Sequence, residues 1–453
     1  MKILTVLPVV SLIVGIALSL TFGFPLFLGI VFAILVTLVS VKRLGYSWRE
    51  QWAFGREGVL QTKPVLTILF LVGLLIPFLM MGGTIPAIIY YGLSVVDVRY
   101  MLSLAFLLAA GTSYLLGTSV GTLSTVGLAL MGISHTAGIS PAMTAGALIS
   151  GAMVGERFSP ISSSRLLILS TLGVTEDEDR KSSRPALLAV AIAALMFLGL
   201  DVFRQEAGET GMIEQYQGLL RQFFSIGWLP LVPLLVLIGA FAFRVKAIRA
   251  LLYGLVAAVV LVIATVPLQF AEMGRSILYG YELHSGTTLD QLVHGGGMIS
   301  ILEVLVLITL AGFLNGILNR ANLLAPLVEK MIGKTQNTVV LAGKAVLLSL
   351  LVVIISCNQT IPILVMGSTL LPRFSRMDKG SVFLGRTMLD STLVMPVLIP
   401  WNGLAMVMSV TLGIPTLDIL PYLFFSFVLP VLTIAAARTF QAPGSLQPHK
   451  NAI

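Results

Sequence analysis

Twelve apolar stretches dominate this chain, at residues 4–21, 24–41, 64–90, 100–132, 141–173, 185–203, 227–243, 247–269, 300–318, 339–371, 387–412 and 419–438. A helix needs about 20 apolar residues to cross the hydrocarbon core of a bilayer. Backbone polar groups find no water there and must bond within the segment, as a helix allows. The sequence therefore predicts an all-α polytopic membrane protein. Only 11% of its residues are charged, against roughly 25% in soluble domains. The apolar runs continue to the end, so the 453 residues are read as one membrane-embedded unit.

The net charge of +8 does not point to nucleic acid, because no basic block of five or more occurs; it fits positively charged cytoplasmic loops. Cys357 is the sole cysteine, which excludes an intrachain disulfide and any multi-cysteine metal site. Lys2 followed by an apolar run resembles a signal peptide. No A-x-A-like cleavage site follows, and a second apolar run starts at once, so the first run is read as a retained span.

Loop charge orients the runs. Loop 42–63 carries Lys42, Arg43, Arg49, Arg56 and Lys63. Turn 244–249 carries Arg244, Lys246 and Arg249, loop 319–338 carries Arg320, Lys330 and Lys334, and loop 372–386 carries Arg373, Arg376, Lys379 and Arg386. All four are read as cytoplasmic, and the more acidic loops 204–226 and 271–298 as external. Loop 174–184 holds Glu176, Asp177, Glu178 and Asp179 beside Arg180, Lys181 and Arg184; acidic residues weigh little in topology, so it stays cytoplasmic. Run 339–371 then has both flanks inside and must enter and return, with Cys357, Asn358, Gln359 and Thr360 at its tip. Run 100–132 does the same from outside, with its tip at 117–122. The expectation is two inverted repeats, 1–210 and 211–453, each with five spans (one broken) plus a re-entrant hairpin. The broken spans are 141–173 and 387–412. Both termini fall on the cytoplasmic side of the cell membrane.

Hairpin tips and broken spans leave backbone groups unpaired near the midplane, and paired discontinuous segments in two halves point to a transporter's substrate site. Helix ends there offer carbonyls to cations and N–H groups to anions. Thr118, Ser119, Thr122 and Ser124 add hydroxyls in the first half, with Ser159 and Ser162 at its break. Asn358, Gln359, Thr360, Ser391, Thr392 and Asn402 add oxygens in the second. Oxygen ligands suit a small hard cation such as Na+. Any single Ser or Thr could instead back-bond to its helix or join neighbouring helices. Glu156 and Asp390 sit at the two breaks, where an intramembrane charge costs about 2.5–3.5 kcal/mol or more and marks a functional candidate. A proton and Na+ would compete for such a group, the simplest route to obligatory exchange. The alternatives are structural: Glu156 paired with Arg157 or Arg165, and Asp390 capping a helix beside Arg386. Pro160, Pro396 and Pro400 explain why the helices break.

Other signals are weak. His284 and His294 fall in an external loop, and His135 in an external turn could sense pH. Gly295-Gly296-Gly297 has no adjoining Lys-Ser/Thr and is not a phosphate loop. No nucleophile–base pair or metal set supports an enzyme, and polar residues gather in two internal repeats rather than around the symmetric pore of a channel.

Two stretches carry a family resemblance: Gly155-Glu156-Arg157-Phe158-Ser159-Pro160-Ile161-Ser162, and Leu389-Asp390-Ser391 running on to Pro396-Val397-Leu398-Ile399-Pro400-Trp401-Asn402. There the chain resembles the NhaC-type sodium/proton antiporter family of the ion transporter superfamily, whose paired inverted repeats the layout also resembles. The family's first motif usually reads Gly-Asp-Lys-Met-Ser-Pro-Leu-Ser-Asp-Thr. Here Glu156 and Arg157 replace Asp and Lys, Ser163 stands at the second Asp, and Leu389 stands where an acid often precedes Asp390. The resemblance implies Na+/H+ antiport by alternating access, with Na+ and H+ as cargo and no cofactor. Glu156, Asp390, Thr118 and Asn358 are the Na+ candidates. Because the family includes exchangers of organic acids, a second reading is a Na+- or H+-coupled exchanger of an organic anion, bound by Arg165, Arg157 and half-helix N-termini. Expected partners are the lipid bilayer, the small ion or organic anion and, as an assembly to test, a second copy in a homodimer.

Overall fold

The computed structural model describes residues 3–95, 97–204, 210–267, 270–287, 290, 294–323, 325–332, 337–356, 358–375, 377 and 379–439. Cys357, Arg376 and Lys334 lie outside the described residues, as does the side chain of His294. The fold is helical. The first half contains α1 (Ile3–Phe22), α2 (Leu26–Arg43), α3 (Trp48–Met81), α4 (Thr84–Val95), α5 (Met101–Leu116), α6 (Ser119–Thr122), α7 (Leu128–Thr136), α8 (Pro141–Phe158), α9 (Ser163–Leu172), α10 (Glu176–Ser182) and α11 (Arg184–Phe203). The second contains α12 (Thr210–Phe223), α13 (Val232–Ala242), α14 (Ala247–Thr265), α15 (Phe270–Tyr279), α16 (Leu302–Arg320), α17 (Ala325–Ile332), α18 (Thr338–Ile355), α19 (Thr360–Phe374), α20 (Gly380–Leu389), α21 (Gly403–Leu412), α22 (Thr416–Ile419) and α23 (Phe424–Ala435). A two-residue antiparallel ladder, Tyr281–Glu282 with His294–Gly295, is the sheet among the described residues.

Seven described helices are long and apolar enough to cross a membrane, or eight if the pair Gly403–Leu412 and Thr416–Tyr422, bent by 93°, counts as one. This polytopic helical membrane protein has fewer uninterrupted spans than apolar runs because several runs are segmented. Run 141–173 divides between Phe158 and Ser163, and run 387–412 between Leu389 and Gly403. The second element also starts earlier than its apolar run. Arg386, read as a loop charge, is 3% exposed within α20, its guanidinium 5.9 Å from the Phe383 ring.

The segment before each break is flanked by two arms running in opposite directions. Ser113 donates to the Ala152 carbonyl at 2.7 Å, and Gly117 abuts Ile161, so α5 runs parallel to α8. Ser119 then bonds Glu156, and Ser134 bonds Thr144, so the arm through α6 and α7 runs back along α8. Gly117 stops α5 with φ +68°, a left-handed conformation that Gly adopts without Cβ strain. Gly151 and Gly155 let the arm approach: a Cβ on Gly151 would lie 2.2 Å from the Phe106 carbonyl oxygen. Asp201 fixes the hairpin base by accepting from the Leu102 and Ser103 amides at 3.1 and 2.8 Å, satisfying helix-start donors that would otherwise lack partners.

In the second half, Ser349 bonds Thr392, Trp401 Nε1 donates to the Ile354 carbonyl at 2.8 Å, and Asn402 Nδ2 donates to the Ser356 carbonyl at 2.9 Å. Helix α18 therefore rises alongside α20 and its break. Gln359 donates to the Leu393 carbonyl, and Phe374 packs 5.6 Å from Phe383, so α19 returns. Between the halves, α3 packs on α14 while α16 packs on α2, and α3 and α16 meet each other. The last contact is very close: a Cβ on Gly58 would lie 2.1 Å from the Gly312 carbonyl oxygen, the small-residue packing that membrane helices use. Arg320 closes one end on Glu57 with hydrogen bonds of 2.7 and 2.5 Å.

Candidate functional site

Glu156 is 6% exposed and lies in the last turn of α8, just before the chain leaves helical form at Ser159. Ser119 from the first hairpin donates to its Oε2 at 2.5 Å. Ser164, from the far side of the break, and Gln359, from the second hairpin, lie close enough to favour its charged form. Ser164 donates to Gln359 Oε1 at 2.8 Å, tying that tip to α9. Both tips therefore reach one carboxylate. Each partner of Glu156 is uncharged.

Asp390 is fully buried at the C-terminal end of α20, with different partners. Arg157 Nε donates to its Oδ1 at 2.7 Å, and Thr433 of α23 donates to its Oδ2 at 2.6 Å. The rest of the Arg157 guanidinium faces Asp179, at 3.1 and 3.2 Å. Arg165 donates to the same Asp179 through Nε at 3.1 Å and Nη2 at 2.8 Å, with Glu176 at 3.6 Å from its Nη1. Buried charges survive when paired and hydrogen-bonded; here two guanidiniums and two carboxylates compensate one another. One structural expectation is thereby corrected and the other extended. Glu156 pairs with neither Arg157, because neighbouring helical residues point about 100° apart, nor Arg165, which is turned to Asp179 and Glu176. Asp390 does end α20 beside Arg386, whose charge acts on it, and it takes its salt bridge from Arg157 of the other half.

Asp179 was hidden among four acids in what read as a solvated loop. Thr175 starts α10 with a capping box, bonding Glu178 reciprocally. The backbone and hydroxyl of Thr175 hold the Glu178 carboxyl below the usual carboxylate range, the backbone contact contributing most. Residues 176–178 face out, and Asp179, the next position round, turns inward and is 3% exposed. Thr433 and Ser183 were missed too: one is a hydroxyl within an apolar run, the other a helix-start residue.

The model of the Na+/H+ antiporter family matches residues 184–437, more than half of the chain. Over 414 residues the chain is 30% identical to the Na+/H+ antiporter NhaC of Alkalihalophilus pseudofirmus, covering 89% of this chain and 88% of that relative. The chain belongs to the Na+/H+ antiporter family. It is therefore a transporter and not an enzyme. The NhaC antiporter of Bacillus subtilis is 27% identical over 90% of each chain. The arginine/ornithine antiporter ArcD of Halobacterium salinarum is 28% identical over 96% of this chain and 91% of its own.

Within this antiporter fold the remaining candidates divide by what their oxygens already do. Thr118 caps α6, accepting from the Gly121 amide at 3.3 Å, and Thr122 donates back to the Thr118 carbonyl. Asn358 accepts from the Ile361 amide at 2.9 Å. Ser159 accepts from Ile161, Ser162 caps α9, and Asn402 caps α21. Ser391 and Thr392 bond Ser349, a lateral tie between the arm and the second break. Thr360 is exposed and stands apart from the buried cluster. Arg165 is turned toward Asp179 and Glu176. Among the described residues no group of three or more His, Cys, Asp or Glu side chains could hold a metal ion, so a cation near Glu156 would depend on neutral oxygens for the rest of its shell.

Proposed function

We propose that the protein exchanges Na+ for H+ by alternating access, with Glu156 as the carboxylate for which the two cations compete. The observation that carries this is the convergence of Ser119, Ser164 and Gln359 on Glu156. The set spans both hairpins and the first break, so movement of one half against the other reshapes it. A deprotonated Glu156 needs a positive charge to remain buried. Na+ supplies that charge and takes oxygen ligands, here the carboxylate, the Ser119 and Ser164 hydroxyls and the Gln359 amide oxygen. A proton supplies it equally well and needs no shell. The relatives named Na+/H+ antiporter support the same reading. Arg157 and Arg165, the groups that would receive an organic carboxylate, are each bonded to carboxylates of the chain itself.

We read the two halves as inverted repeats. Support comes from the equivalent placing of arms and breaks, and from the third spans α3 and α16 meeting in opposite directions: Thr62 abuts Gly312 while Glu57 reaches Arg320. The basic residues of 42–63, which run from the end of α2 through the start of α3, favour cytoplasmic termini in a cell membrane. The test is transport in proteoliposomes holding purified, folded protein. Added Na+ should collapse a preformed pH gradient, and a Glu156→Gln variant should not do so. Wild-type protein that leaves the gradient intact across the neutral-to-alkaline range would rule this function out.

A further inference from the structure

We propose that the exchange is electroneutral, one Na+ for one H+, because Arg157 is a built-in counter-cation for Asp390 and leaves Glu156 as the single carboxylate at the breaks that a mobile cation can neutralise. This rests on the reading of Glu156 given above.

The two carboxylates occupy matching places but keep different company. Arg157 Nε stands 2.7 Å from Asp390 Oδ1, where an incoming cation would have to sit, and the Thr433 hydroxyl occupies Oδ2. The far side of the same guanidinium is held by Asp179, which also anchors Arg165. Arg386, buried one turn before Asp390, adds a further positive charge next to that carboxylate. A mobile cation arriving there would meet resident guanidiniums. Among the described residues, the polar groups acting on Glu156 are the Ser119 and Ser164 hydroxyls and the Gln359 amide. The Na+-bound and protonated forms of Glu156 carry the same net charge, so each moves across the membrane with the same charge. One Na+ crosses one way, one proton crosses the other, and the membrane potential, which acts only on net charge moved, does no work on the cycle. Were Asp390 to take up and release a proton as well, with one Na+ shared between the two carboxylates, two protons would answer one Na+ and the potential would drive the reaction.

The experiment is a null-point titration in proteoliposomes, with K+ and valinomycin setting the potential. For wild-type protein, a tenfold excess of Na+ inside should be balanced by a pH about one unit lower inside, at every imposed potential. A null at about half a unit, or one that moves with the potential, would overturn the proposal. In Arg157→Gln the resident cation is gone, and the null should shift toward half a unit and become potential-dependent. An unchanged null in folded Arg157→Gln would refute the role given to Arg157. Should that variant not fold, Arg157→Gln combined with Asp390→Asn removes both charges of the pair and should keep the wild-type null; a potential-dependent null there would count against the proposal. Absence of any Na+-dependent proton flux in wild type would instead strike the antiport reading itself.

Discussion

Glu156 and Asp390 occupy comparable places, each buried where the helix beside a hairpin gives way to a break, and they keep opposite company. Asp390 is fastened by Arg157 and Thr433 into a network reaching Asp179, Arg165 and Ser183. Glu156 is held by neutral groups from three separate segments. A buried carboxylate with a permanent guanidinium partner is part of the scaffold; one without such a partner depends on what the solution supplies. The difference teaches that position at a break nominates a residue, while its counter-charge decides its task.

The comparison breaks most sharply under substitution of the two acids. Glu156→Gln should abolish exchange while preserving the melting temperature, since an amide can keep the contacts to Ser119 and Gln359. Asp390→Asn should instead cost stability, about 3–5 kcal/mol, because Arg157 loses a buried partner; detergent-solubilised thermal unfolding separates the two outcomes. Equal loss of stability in both variants would erase the distinction. Asp179→Asn should be milder, roughly 1–3 kcal/mol, since Arg157 keeps Asp390 and Arg165 keeps Glu176, and the same unfolding assay reads it. Ser119→Ala removes one ligand from the exchange site and should weaken apparent Na+ affinity roughly fivefold, about 1 kcal/mol, in initial-rate measurements against Na+ concentration. At the far end of the scale, Glu57→Gln breaks an exposed bridge to Arg320 between the halves and should leave exchange rates unchanged at physiological salt.

Much of this arrangement was legible in the residues. Apolar runs of bilayer length announced helices. Pro160 with Ser159 and Ser162 announced the first break, which falls between Phe158 and Ser163. Gly117 announced a tip, because a left-handed turn there favours glycine. What stayed hidden was partnership across sequence distance. Nothing local to Arg157 tells that its charge goes to Asp390 and not to Glu156 beside it; that follows from the helix rotating adjacent side chains apart and from α20 packing near α10. Asp179 was indistinguishable from Asp177 until α10 presented one face inward. Thr433 gave no signal at all in a run of apolar residues. Hydroxyls such as Thr118 and Ser162 read as cation ligands in the sequence and are helix caps in three dimensions, because each break starts a new helix that needs a cap.

Proton release on Na+ binding is the most direct measurement of the central claim, that Na+ and H+ compete for Glu156. Purified protein in weakly buffered detergent solution, kept at a pH where the carboxyl still holds its proton, should acidify the medium when Na+ is added. Glu156→Gln should release none, and K+ at matched ionic strength serves as the control. Undiminished proton release from folded Glu156→Gln would contradict the account.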